Sequence, residues 1–231
     1  MKVLVINGSP RSERSSTMHL TRAFLEGAGW SDAEIIDISK VNVKGCTGCY
    51  SCWEKTPGKC IINDDMQALL PKIVEADVLI TSFPLYSCYF PGQLKCFTDR
   101  MLPVALPFMD KSQESGGHPL RYDMSKQRQL YISTCGFWTT EGNYDSIIAL
   151  FKRGNPEVNH KEFCIFAGQG GLFGEAELEA LTKPYLQTVK RAGKEFAEGK
   201  ISEEVQELLT KPIIPREMYE NAADESWEIN E

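Results

Sequence analysis

Five short β-branched runs, each giving way to a stretch with helical periodicity, constrain this chain more than any other feature. "KVLVI" (2–6), "AEIIDI" (33–38), "VLITSF" (78–83), "RQLYISTC" (128–135) and "KEFCIFAG" (161–168) predict strands. Residues 14–27 predict a helix, with Met18, Leu20, Ala23, Phe24 and Ala28 at mixed three- and four-residue spacing. Residues 64–77 predict another, with Met66, Leu69, Leu70, Ile73 and Val74 on one face and Pro71 as an objection. The acidic pair Asp64–Asp65 at its start reads as a helix N-cap. Further helices are predicted over 92–102, 144–153 and 175–200, the last as one long helix or as a pair kinked at Pro184. A short helix over 202–210 and an acidic tail follow. Strands alternating with helices predict an α/β parallel sheet covered on both faces. Two stretches break the rhythm: a cysteine-rich segment, 40–63, and a Gly-, Pro- and Ser-rich excursion, 103–127. The expected organisation is therefore one domain over 1–200, followed by a C-terminal helix and acidic tail over 201–231.

A chain of 231 residues can bury a sizeable core, and its net charge of −7 argues against a nucleic-acid surface. No apolar run is long enough for a signal-peptide core or a membrane span. The chain is accordingly read as cytoplasmic, with no nucleic-acid or membrane partner. In that compartment its eight cysteines are thiols, metal ligands or redox groups rather than disulfides.

The loop after the first strand, "GSPRSERSST", would sit where an open parallel sheet binds ligands. Gly8 permits close backbone approach. Ser9, Ser12, Ser15, Ser16 and Thr17 offer hydroxyls, Arg11 offers a cation, and the following helix offers free amides. The loop has neither G-x-G-x-x-G nor G-x-x-x-x-G-K-[ST], so a dinucleotide or a magnesium triphosphate is disfavoured. A terminal monophosphate, such as that of FMN, fits it. A serine-rich cap on a surface turn is the plainer alternative. After the third strand, "FPLYSCYFPGQLK" combines Pro84, Pro91 and Gly92 with Tyr86, Tyr89 and Phe90. It suits a flat apolar ring or a packed aromatic cluster. After the fourth, Thr134, Cys135 and Gly136 can reach the same place. Phe137 and Trp138 would either shield it or pack on the excursion.

Cys46, Cys49, Cys52 and Cys60 have the spacing C-x2-C-x2-C-x7-C. Thiols so spaced can hold a [4Fe–4S] cluster, remain free or redox-active, or bind zinc, although structural zinc usually takes two separated knuckles. Cys96 and Cys164 are expected to be buried structural thiols. His19, His118 and His160 have no partner at metal-ligand spacing, and His118 either lines an entrance or is solvated.

"GSPRSERSST", "CTGCYSCWEKTPGKCIINDDM" and "ADVLITSFPLYSCYFPGQLKCFTDR", in that order, resemble the NAD(P)H-dependent FMN reductase and iron–sulfur flavoprotein family of the flavodoxin-like superfamily. The resemblance spans about residues 1–200. It implies a doubly wound five-stranded sheet in the order 2-1-3-4-5. It implies FMN phosphate on Ser9, Arg11, Ser15, Ser16 and Thr17, and the flavin ring against Pro84, Leu85, Tyr86 and Phe90, with Thr134, Cys135 and Gly136 within reach. It makes Cys46, Cys49, Cys52 and Cys60 candidate cluster ligands. The implied activity is hydride transfer from NAD(P)H to the flavin, with electrons leaving to a small-molecule or protein acceptor. A non-enzymatic flavin and iron–sulfur electron carrier, or a cofactor-free binding module, are the rival classes. The resemblance further implies a homodimer or homotetramer, for which the excursion and the acidic tail are candidate contacts.

Overall fold

Alternation along the strands builds two cores. The computed structural model describes residues 1–112, 116–153 and 159–227. In β1 (Val3–Asn7) all five residues are buried, Val3 and Val5 in one apolar cluster and Leu4 and Ile6 in the other. A strand buried on both sides requires helices on both sides of its sheet. The chain continues through α1 (Ser16–Ala28), β2 (Glu34–Asp37), α2 (Ser51–Glu54), α3 (Met66–Glu75), β3 (Val78–Pro84) and α4 (Gly92–Asp99). It then forms β4 (Arg128–Thr134), α5 (Asp145–Lys152), β5 (Cys164–Ala167), α6 (Glu179–Glu198), α7 (Glu203–Leu209) and α8 (Arg216–Glu225). The five strands are parallel in the order β2-β1-β3-β4-β5, the flavodoxin-like order.

The first cluster gathers Leu20 and Phe24 of α1, Val189, Ala192 and Phe196 of α6, and Val205 and Leu209 of α7. The segment after residue 200 is thus packed into the main core. Where α1 crosses α6, a Cβ on Gly193 would lie 2.0 Å from the Phe24 carbonyl oxygen, so only glycine permits this backbone approach. The second cluster gathers Met66, Leu69 and Ile73 of α3, Leu94 and Phe97 of α4, and Ile147 of α5.

Two departures from the sequence reading stand out. The cysteine segment contains a short helix, α2. The tail expected after 210 instead carries α8. Helix α3 runs through Pro71 as expected, and Pro184 lies inside a continuous α6 that starts at Glu179, the single-helix alternative. Residues 103–127, as far as they are described, fold into an arm whose two sides pair at Ala105 and Leu120. Residues 113–115 of that excursion and 228–231 of the predicted tail lie outside the described residues, as does 154–158.

Candidate functional site

Parallel strands deliver their following loops to one edge of the sheet. The register places Asn7 beside Ser82 and Pro84 beside Thr134, so the loops after β1, β3 and β4 are neighbours there. The first loop is held from within. The buried Asn7 side chain accepts the Ser9 N–H (3.1 Å) and donates to Asp37 Oδ1 (2.5 Å). Ser9 Oγ accepts the Arg11 N–H (3.2 Å), and Ser12, at a left-handed φ of 54°, donates its hydroxyl to Asp37 Oδ2 (2.6 Å). Ser15 caps α1 by accepting the Met18 N–H (3.2 Å). The Thr17 hydroxyl is bonded to that of Thr134 (2.6 Å). Burial opposes ionisation of Asp37, but Lys40, Ser12 and Asn7 outweigh it and hold the carboxyl below its usual range. These hydroxyls shape the loop: Ser12 commits its proton to Asp37, whereas Ser9 and Ser15 use only their oxygens as acceptors and keep an O–H. Available to an anion are the exposed Arg11, the half-buried Ser16 and the amides of Ser16 and Thr17. Those amides open α1 and find no acceptor among the described backbone bonds.

The other two loops are knitted together. The Leu85 N–H donates to the Thr134 carbonyl (2.8 Å). Tyr86 and Tyr89 exchange backbone hydrogen bonds (3.0 and 2.9 Å) around a two-residue turn, with Ser87 and Cys88 at φ 49° and 58°. The Ser146 hydroxyl donates to the Cys88 carbonyl. This turn presents the Tyr86 ring, 46% exposed, and Phe137 of the β4 loop is 54% exposed. Pro84 and Leu85 are half-buried, and Gly136 is exposed. Phe90, by contrast, packs edge-on against Phe83 (4.8 Å) inside the second core. The buried Cys135 thiol faces the Thr139 carbonyl (3.6 Å), and burial pushes its pKa up. Trp138 packs on Leu172, Ile214 and Tyr219 with Arg216 over its ring (5.2 Å), rather than on the excursion. Sequence reasoning missed this C-terminal contribution, which includes a bond from the Tyr219 hydroxyl to the Gly136 carbonyl (2.9 Å).

Cys46, Cys49, Cys52 and Cys60 line one pocket of about 20 Å³, together with Tyr50 and Arg100. The Trp53 indole N–H, donating to the Leu102 and Ala105 carbonyls (3.3 and 3.0 Å), pins α2 to the base of the arm. The exposed His118 covers Trp53 from the arm (ring centroids 4.9 Å). Asp64 and Asp65 act chiefly as tethers. Asp64 accepts the Met66 N–H (3.1 Å), as a cap would, but its principal partner is the guanidinium of Arg100 (2.7 and 2.9 Å). Asp64 also accepts the Lys44 N–H (3.0 Å), and Asp65 accepts the Asn42 N–H (2.8 Å). Arg100 in turn donates to the Lys44 carbonyl (2.7 Å). Both Arg100 and Asp64 side chains are buried, at 1% and 0% exposure. Burial, then the neighbouring Cys60, Cys49 and Cys46, push the Cys52 thiol up, whereas hydrogen bonds from Ser51 and Thr47 pull Cys49 down. Among the described residues no three His, Cys, Asp or Glu side chains already close around a single metal ion. Cys96 is half-buried and Cys164 buried.

Comparison with known proteins now decides the family. A family model for NADPH-dependent FMN reductases matches residues 1–120, more than half of the chain. The chain belongs to that family. The matched part holds the β1 loop, the cysteine segment and the β3 loop. An iron–sulfur flavoprotein of Archaeoglobus fulgidus is 38% identical over 105 residues, covering 45% of this chain and 46% of the relative. One of Methanocaldococcus jannaschii is 36% identical over 118 residues, covering 50% of this chain and 60% of the relative. The chain thus spans about half the length of the curated relatives it matches. Among solved structures, an FMN-dependent NADH-azoreductase from Bacillus anthracis in complex with FMN superposes at TM-score 0.58 with 18% identity. That match covers 85% of this chain and 99% of the azoreductase. An NAD(P)H:quinone oxidoreductase from Methanothermobacter marburgensis gives 0.59 and 19%, covering 85% and 98%. These two likenesses establish the shared fold. Among the described residues no helix is long and apolar enough to cross a membrane.

Proposed function

We propose that the chain binds FMN at the carboxyl edge of its sheet and acts as an NAD(P)H-dependent oxidoreductase, passing electrons to a small-molecule or protein acceptor. The observation carrying this reading is the convergence of three loops, one of which offers an exposed arginine beside two unpaired first-turn amides. That donor set fits a phosphate. In this reading Arg11, Ser16 and the Thr17 amide bind the phosphate, while Ser9 and Ser15 fix the loop. Leu85, Tyr86 and the 134–137 backbone flank the ring and exclude water from one side of it. Phe90 and Cys135 support the wall from the core. Bound FMN supplies uptake of a hydride from NAD(P)H and release of electrons singly or in pairs.

The four thiols of the second pocket fit an iron–sulfur cluster better than a single ion. In a cluster each thiolate binds its own iron, so the sulfurs share a pocket without meeting at one point. Cys46, Cys49, Cys52 and Cys60 would be its ligands, and a cluster would supply one-electron relay. The names of the archaeal relatives support this reading. The exposed Phe108, Met109 and Leu120 on the arm support a homo-oligomer contact there. Anaerobic purification followed by an absorption spectrum and addition of NADH or NADPH tests the proposal. Flavin bands that bleach on addition are expected, with an iron–sulfur shoulder beneath them. Bound flavin that neither nucleotide reduces would turn the reading into an electron carrier. Protein that takes up no FMN would remove it.

A further inference from the structure

Arg100 carries a donor that the protein leaves unused. Its two terminal nitrogens are engaged by Asp64 and the Lys44 carbonyl. Its Nε–H is buried with no acceptor within hydrogen-bond distance. A buried donor left without an acceptor is destabilising, the more so on a charged group, so native proteins rarely keep one without a use. Arg100 lines the same pocket as Cys46, Cys49, Cys52 and Cys60. Asp64, most strongly, and then Cys60 favour the charged form of the guanidinium. The pocket therefore combines four potential thiolates with one buried, fixed cation that has a spare N–H.

We propose that Arg100 donates this Nε–H to the Cys60 sulfur of the loaded protein and thereby raises the reduction potential of the cluster. The inference rests on the cluster reading given above. The physical reason is charge. A thiolate-ligated cluster becomes more negative when it accepts an electron, so a hydrogen bond and a buried cation at one sulfur stabilise the reduced form more than the oxidised one. Cys60 is the ligand separated from the other three by seven residues. Arg100 belongs to the turn after α4 and reaches both ends of the cysteine segment, through Lys44 and Cys60. It thus positions the distant ligand as well as tuning it.

Two measurements on the full chain, reconstituted anaerobically with iron and sulfide, test this. In the first, wild-type protein labelled with 15N at arginine Nε is reduced and studied by pulsed electron paramagnetic resonance. A 15N coupling to the cluster is expected. In the second, Arg100→Lys keeps the charge and a partner for Asp64 but has no Nε–H, and its midpoint potential should shift downward in an EPR-monitored titration. If Arg100→Lys does not retain iron, the labelled wild type decides alone. A cluster without the 15N coupling, or with an unchanged potential in Arg100→Lys, overturns the inference and leaves the cluster standing. Wild-type protein that takes up no iron overturns both.

Discussion

Arg11 and Asp64 are both charged, and their surroundings give them opposite tasks. Arg11 stands exposed beside free amides, so its charge is available to a ligand. A charge-assisted hydrogen bond to phosphate is worth roughly 1.5–3 kcal/mol, or about ten- to a hundredfold in affinity. Arg11→Ala should weaken FMN binding by that factor and leave thermal stability unchanged; adding Ser9→Ala should also loosen the loop, because Ser9 Oγ holds the Arg11 amide. Titration of apo-protein with FMN checks this, and unchanged affinity in the double variant would remove the loop from the site. Asp64 is buried against Arg100. Burial alone would raise its pKa, but hydrogen bonds from Arg100 and Lys44 outweigh that and hold it below the usual range. A depressed folded-state pKa contributes stability that is fully present above the ordinary carboxylate value, about 3.9, and is lost as pH falls through the lower folded value. Asp64→Asn leaves Arg100 buried without its counter-charge, at a cost of about 3–5 kcal/mol near neutral pH. Its deficit relative to wild type should shrink as melting is repeated from pH 7 to pH 3. A constant deficit over that range would mean the carboxylate charge is not what holds the segment. Arg100 was illegible in the sequence because "TDRM" at the end of an amphipathic helix reads as a solvated cation, and nothing local marks its partner 36 residues away.

Elements with strong period were legible, and those fixed by tertiary contact were not. All five strands stand within a few residues of their expected places, because each centres on a short β-branched or apolar run, continuous only in strands such as β1 that are buried on both faces. Neither Pro71 nor Pro184 breaks its helix: each removes one N–H, and packing of the apolar face outweighs the loss. By contrast, α8 is a strongly polar stretch with a single buried residue, Tyr219, so little in its sequence marks it as packed. The Tyr86–Tyr89 turn was equally hidden. Two positive φ values in a two-residue hairpin are the mark of a type I′ turn, which prefers Asn-Gly, whereas this chain has Ser87-Cys88. Holding non-glycine residues there costs about 1 kcal/mol each. Ser87→Asn combined with Cys88→Gly should therefore raise the melting temperature by ~2–4 °C while preserving the Tyr86 ring position. Calorimetry and the spectrum of bound flavin check it. A lower melting temperature would show that the Cys88 side chain contributes more than the turn strain costs.

At the scale of the whole molecule, the C-terminal segment fastens the edge of the sheet at which the loops meet. Gln169 lies just after β5 and is fully buried, at a left-handed φ of 56°. Its N–H donates to the Phe137 carbonyl (2.7 Å), which ties it to the β4 loop. Its Oε1 accepts the N–H groups of Ile213 and Ile214 (2.8 and 3.0 Å), and its Nε2 donates to the Ile214 carbonyl (2.7 Å). One side chain thus satisfies three backbone groups of the link between α7 and α8. From there α8 returns Tyr219 to the Gly136 carbonyl and Arg216 to the Trp138 ring. The sheet does not depend on this arrangement, since its two cores draw on α1 and α3 to α7. Gln169→Ala would leave those three groups unpaired, at roughly 1–3 kcal/mol for each that stays buried. Release of residues 211–227 into solvent, where water can bond them, is the cheaper outcome. Limited proteolysis of the variant should accordingly cut within 211–227 under conditions where wild type is intact, while its circular dichroism at 25 °C matches wild type. FMN affinity should also fall, because the 136–138 loop loses both the Tyr219 bond and the Arg216 contact. Cleavage spread over the whole chain would mean that the C-terminal segment and the sheet unfold as one unit, and that the edge cannot be loosened separately from the fold.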